Sequence, residues 1–100
     1  MMQEVVSEAQ FLAYADALRT QDPALSPIMA GIVAAVFQGI ADDSRSFSKL
    51  FGIAHALVLR EINQLSGLDA PVEIIGRDAR TQRTHIKLTV KGAALCARVP

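Results

Sequence analysis

Residues 44–67 read SRSFSKLFGIAHALVLREINQLSG, and this stretch decides the fold. Phe47, Leu50 and Phe51 recur at helical spacing behind the polar break Asp42-Asp43-Ser44, which can cap a short helix. Gly52 is expected to close that helix, because glycine takes up the left-handed backbone of a helix C-terminus without steric cost. Ile53 then plugs the turn. A second helix is expected over 54–66, with Val58, Ile62 and Leu65 on its inner face and Gly67 as its stop. Two short helices joined by a turn containing glycine predict a helix-turn-helix.

Upstream, Ser7-Glu8-Ala9-Gln10 fits a capping box, with Val6 and Phe11 placed as a hydrophobic staple. The helix that follows, Glu8 to Arg19, carries Phe11, Leu12, Ala15 and Leu18 at helical spacing, and Asp22-Pro23 ends it. Ser26-Pro27 offers an N-cap and a proline at the first helical position. From there Ile28, Ile32, Ala35, Val36 and Ile40 form one stripe, which Met29, Val33 and Phe37 widen to most of the circumference. Such a helix is central and covered on several sides. Ala24 to Ala41 is uncharged over eighteen residues, at the lower limit for a membrane span. Its proline and glycines, its acidic flanks and its lack of flanking Lys or Arg point to a buried helix instead.

Downstream, the apolar period changes from 3.6 to 2. Val72 to Ile75 is expected as one strand and Thr84 to Leu88 as a second, with Thr84, Ile86 and Leu88 on one face. Gly76 to Arg83, polar and basic, is the tip of the hairpin between them. Thr89 can cap a last helix bearing Ala93, Ala94 and Ala97. The expected fold is mainly α with a β-hairpin wing, a winged helix-turn-helix preceded by an extra N-terminal helix. Residues 1–22 form that helix and 23–100 the winged domain.

The formal charge of the chain is zero, yet residues 1–43 carry one base and six acids, whereas 44–100 carry nine bases and four acids. A −5 half and a +5 half result, and the second can attract an anion. One cysteine and two separated histidines exclude a disulfide framework and zinc-ligand spacing. No glycine-rich phosphate loop, nucleophile elbow or paired-acid motif is present, so no enzyme, cofactor or metal is expected. The N-terminus lacks a basic n-region; a cytoplasmic protein off the membrane is expected, with Cys96 a buried apolar residue and not a redox sensor.

Leu50-Phe51-Gly52-Ile53, Gln64-Leu65-Ser66-Gly67-Leu68, Arg77-Asp78-x-Arg80 and Leu88-Thr89-x-x-Gly92 stand in an order that resembles the MarR family of bacterial transcriptional regulators. The likeness covers about Ile28 to Leu95. It implies a dimeric, double-stranded-DNA-binding regulator, with helix 54–66 in the major groove and wing 76–84 on the flanking backbone or minor groove; any small-molecule effector is unidentified. Three departures stand out. Arg80 lies about two residues further from Leu88-Thr89 than in the family pattern. The recognition helix begins Ala54-His55-Ala56-Leu57-Val58-Leu59, where similar proteins place Ser, Thr and Arg. The chain also stops at Pro100, where relatives continue into further helices.

Candidate DNA contacts are Arg77, Arg80, Arg83 and Lys87 on the wing, with His85 beside them, as groove or phosphate ligands. Lys49 and Arg60 on the two helices are candidates for phosphate. Ser44 and Ser46 either donate to phosphate or cap their helix, and His55 reads a base or sits on the surface. Asn63 and Gln64, late in the helix, face solvent or a phosphate. Candidate dimer contacts are Phe11, Leu12, Tyr14 and Leu18 of the N-terminal helix. The apolar recognition helix admits a second reading, a winged-helix module that has given up DNA and uses Leu57 or Leu59 against a protein.

Overall fold

A computed structural model describes residues 7–100. Five helices and one two-stranded antiparallel hairpin are found among these residues, in the order α1 (Glu8–Gln21), α2 (Pro27–Phe37), α3 (Ser44–Phe51), α4 (His55–Leu65), β1 (Val72–Asp78), β2 (Arg83–Leu88) and α5 (Val90–Ala97). The sequence of helices closed by a hairpin and a last helix is the one expected. Val6, one half of the expected staple, lies outside the described residues.

Side-chain caps start α1, α2, α3 and α5, whereas α4 begins at Ala54 without one. Ser7 accepts from the Gln10 N–H while Gln10 Oε1 accepts from the Ser7 N–H, which completes the capping box of α1. Ser26 caps α2 by accepting from the Met29 N–H at 3.0 Å, and its hydroxyl donates to Glu61 Oε1 of α4 at 2.6 Å. One side chain thus starts a helix and ties it to another. The apolar stripe predicts α2 through Ile40, but the helix stops at Phe37. Gly39 turns left-handed (φ 71°), and the Gly39 and Ile40 N–H groups donate back to Val36 and Ala35. That is a Schellman closure, and it carries Ile40 out of the core. Gly52, at φ 67°, closes α3 as expected.

Residues 30–35 of α2 are buried without interruption, so α2 is the central element, packed against α1, α4, α5 and β2. Leu18, Ile32, Val33, Phe47, Val58, Ile62, Val72 and Ile86 are all but fully enclosed and form one core with it. Gly92 in the first turn of α5 leaves room for the Pro71 carbonyl, which a Cβ there would strike. Thr89 caps α5 and also donates to the Ala70 carbonyl, so α5 is keyed to the entrance of the hairpin.

The hairpin departs from expectation in length. Val72 pairs with Leu88 and Ile74 with Ile86; the ladder then skips Ile75 and resumes as Gly76 with His85, Arg77 with Thr84 and Asp78 with Arg83. Only residues 79–82 form the tip, not 76–83. The ladder's outer half is polar, so alternation of apolar residues could not mark it as strand. β2 is also held on its other edge: the Ile86 N–H donates to the Asp42 carbonyl, and Asp43 bridges to His85.

Candidate nucleic-acid interface

The skipped residue decides which way the hairpin's charges face. With a regular period of two, Val72, Ile74, Gly76 and Asp78 would share the inner face. The bulge at Ile75 inserts one residue, and Arg77 instead stands directly opposite Thr84 on the face that continues the core. Arg77 therefore lines a cleft of about 410 Å³ between the hairpin and α4, together with Ala79, Gln82, Thr84 and the α4 residues Leu59 and Asn63. Ala56, Leu59, Arg60 and Asn63 recur at helical spacing along this side of α4; all are exposed except Leu59, which is half-buried.

Arg80 is exposed at the tip, where Asp78 does not pair with its guanidinium. The Asp78 carboxylate accepts instead from the Arg80 and Thr81 N–H groups at 2.9 and 3.4 Å, an Asx-type lock on the turn. Those backbone donors hold the Asp78 pKa below the usual carboxylate value. The Arg80 side chain is left to solvent.

The base of the hairpin is fixed by a polar cluster at the start of α3. Ser44 is fully buried: its hydroxyl accepts from the Thr84 N–H at 2.9 Å and lies 2.8 Å from His55 Nε2. It joins β2, α3 and the first residue of α4, and it is not free to meet a phosphate. Asp43 caps α3 by accepting from the Ser46 N–H and hydroxyl, and it forms an ion pair with Arg83. Burial alone would raise the Asp43 pKa; the donors on Ser46 and Arg83 outweigh it and hold the carboxyl below its ordinary value. Arg83 is thus already engaged, and Ser46 acts as part of the cap. The pKa of His55 is depressed, first by burial and then by the charge of Arg45; Asp43 pulls the other way, and Arg83 adds the smallest push down.

Of the other expected contacts, Arg60 is exposed on α4. Lys87 pairs with Glu73 at 3.1 Å, both exposed, an arrangement that contributes little. Lys49 lies away from the cleft, beside Ile40, Ala41 and Leu50. Leu18 is buried in the core and corrects its assignment as a dimer contact. Tyr14 is half-buried, donates to the Cys96 carbonyl at 3.2 Å and stacks on Phe37, whereas Leu12 is exposed. Cys96 itself is buried, and burial pushes its thiol pKa up.

Two residues matter more in the structure than their sequence positions suggest. Arg45 reaches across from α3 to the hairpin tip, donating through Nε to the Thr81 carbonyl at 3.2 Å and through Nη2 to Gln82 Oε1 at 3.3 Å. Its signal is present in the sequence, since a base in a first helical turn opposes the helix dipole and calls for another reason to be there. Asn63, although late in its helix, lies one turn beyond Leu59 and so lines the same cleft.

Comparison with protein-family profiles, with curated proteins and with solved structures found no match. Among the described residues no group of three or more His, Cys, Asp and Glu side chains could hold a metal, and no helix is long and apolar enough to cross a membrane.

Proposed function

We propose that the chain is a winged helix-turn-helix regulator that binds double-stranded DNA as a homodimer. α4 is the recognition helix, laid in the major groove, and the β1–β2 hairpin is the wing. The observation that carries this reading is the cleft between α4 and the hairpin, with Arg77 turned into it by the bulge and Arg60, Asn63 and Arg80 around it. Guanidinium groups at such a position neutralise phosphates or enter a narrow minor groove. Asn63 carries the paired donor and acceptor that can read adenine. Arg45 braces the tip, so Arg80 is offered from a fixed turn rather than a loose one. The bases of residues 44–100, Arg60, Arg77 and Arg80 among them, draw this part of the chain toward the duplex before contact.

The experiment is a titration against specific and random duplex at two salt concentrations. Arg80→Ala is expected to weaken both, and to flatten the log–log salt slope by roughly 0.9 for each phosphate that is no longer neutralised. Arg19→Ala, whose Nε donates to the Leu25 carbonyl in the acidic half, is the control and changes neither. If Arg80→Ala keeps the affinity and slope of the parent chain, the hairpin does not touch DNA.

One observation favours a second reading. Leu59 lines the cleft where a base-reading polar side chain would be expected. A winged-helix module that binds protein would use that apolar surface, and Leu59→Ser would then weaken the protein partner while leaving duplex affinity absent throughout.

A further inference from the structure

Away from the α4–hairpin cleft, and sharing no residue with it, a hollow of about 550 Å³ is lined by Glu8, Phe11, Leu12, Ile40, Leu50 and Phe51. Its walls are apolar and open: Leu12 is 53% exposed, Leu50 46% and Ile40 40%. Phe37, 49% exposed, stacks on Tyr14, which lies one turn along α1 from Phe11. Scattered exposed leucines are ordinary, but a contiguous group of this kind marks a surface that another molecule covers.

The charges at the rim say which molecule. Glu8 stands at the α1 end of the hollow, and Lys49 stands at the α3 end beside Ile40 and Leu50. Neither forms an ion pair among the described residues. A two-fold axis brings the same patch against itself, so that a residue at one end of the patch meets the residue at the other end of its copy, and the reciprocal contact forms with it. An apolar centre with one acid at one end and one base at the other is complementary to itself under that operation. A stable interface covers about 800 Å² per partner, roughly an eighth of the 6342 Å² surface of the chain. The outer faces of α1 and of the α2 and α3 C-termini offer a continuous surface for it.

We infer that two copies of the chain meet across a two-fold axis on this face, with Glu8 of each seated against Lys49 of the other. The inference deepens the dimeric part of the reading above and rests on it, but not on DNA binding. It removes Lys49 from the phosphate contacts. It also moves the dimer centre from Tyr14 and Leu18 to Leu12, Ile40 and Leu50, of which Ile40 is carried out of the core by the Gly39 closure of α2.

Charge reversal tests it, read by sedimentation of the full chain, with duplex binding measured separately on each sample. Glu8→Lys alone and Lys49→Glu alone each set like charges together twice and are expected to weaken self-association at least about tenfold. An equimolar mixture of the two single variants is expected to associate again, because both pairs in the mixed dimer are then of opposite sign. The double variant is expected to return to within about threefold of the parent chain. Both residues are exposed, so neither variant depends on the core to fold. A parent chain that stays monomeric at micromolar concentration overturns the inference. So does a chain that dimerises only after removal of residues 1–6, which would make its own N-terminus the occupant. A dimer indifferent to both reversals overturns it too. A monomer that still binds duplex leaves the DNA reading standing, and a dimer that ignores duplex leaves this interface standing.

Discussion

Ser44 is the residue on which the hairpin's position turns. Its hydroxyl is the acceptor for the buried Thr84 N–H, and no regular ladder bond replaces it on that edge. Ser44→Ala is expected to cost about 1–3 kcal/mol, the penalty of a buried donor left without a partner, read from the denaturant midpoint. Its neighbour His55 gives the node a pH dependence. The folded-state pKa of His55 lies below the ordinary value of 6.5, so between the two values the unfolded chain binds more protons than the folded one. Stability therefore falls as pH drops through 6.5 and levels off below the folded pKa. His55→Gln is expected to remove that part of the slope, checked by urea unfolding at a series of pH values. Asp43 acts at lower pH: its depressed pKa contributes stability that is lost as pH falls from the ordinary carboxylate value through the folded one. None of this is legible in the sequence. Ser44 follows an Asp-Asp break and reads equally as a cap or a phosphate donor, and only the return of β2 forty residues later decides between them.

Among the elements, the helices are the most readable and the hairpin the least. Phe47, Val58 and Ile62 announce α3 and α4 because packing against one core repeats every three to four residues. The same repeat misleads at the end of α2, where beyond Gly39 the apolar Ile40 continues the stripe in sequence but not in space. In the hairpin, Arg77, Asp78 and Arg83 belong to the ladder although none is apolar, and the extra residue Ile75 shifts the period midway. Deleting Ile75 should restore a regular ladder and leave Arg77 opposite Thr84, since the bulge sets Ile75 and Gly76 together against the single His85. Arg77 then keeps its place in the cleft. Duplex affinity is expected to stay near that of the parent chain, whereas Arg77→Ala lowers it, with thermal unfolding showing that both variants fold. A loss on deletion as large as in Arg77→Ala would mean that the facing of Arg77 is irrelevant.

Over the whole molecule, the division at residue 22 read from the sequence meets a single core. Ala15 and Leu18 of α1 belong to the same buried cluster as Ile32, Phe47 and Ile86. One cooperative transition is expected, followed equally by far-ultraviolet circular dichroism and by the emission of Tyr14, the sole tyrosine in a chain without tryptophan. Ile32→Ala should lower both midpoints together, by about 2–5 kcal/mol. An early loss of the Tyr14 signal would instead show that α1 detaches first. The charge division, by contrast, is fully legible, because counting bases and acids needs no geometry.

The double use of Ser26 limits which sequences this fold can inherit. Asparagine, aspartate and serine start a helix about equally well when only the helix is considered. At position 26 the capping side chain must also donate a proton to Glu61, thirty-five residues on. Ser26→Asp would keep the cap and set two carboxyl groups against each other with no donor between them. Drift at the start of α2 is therefore confined to hydroxyl or amide side chains unless position 61 changes in the same lineage.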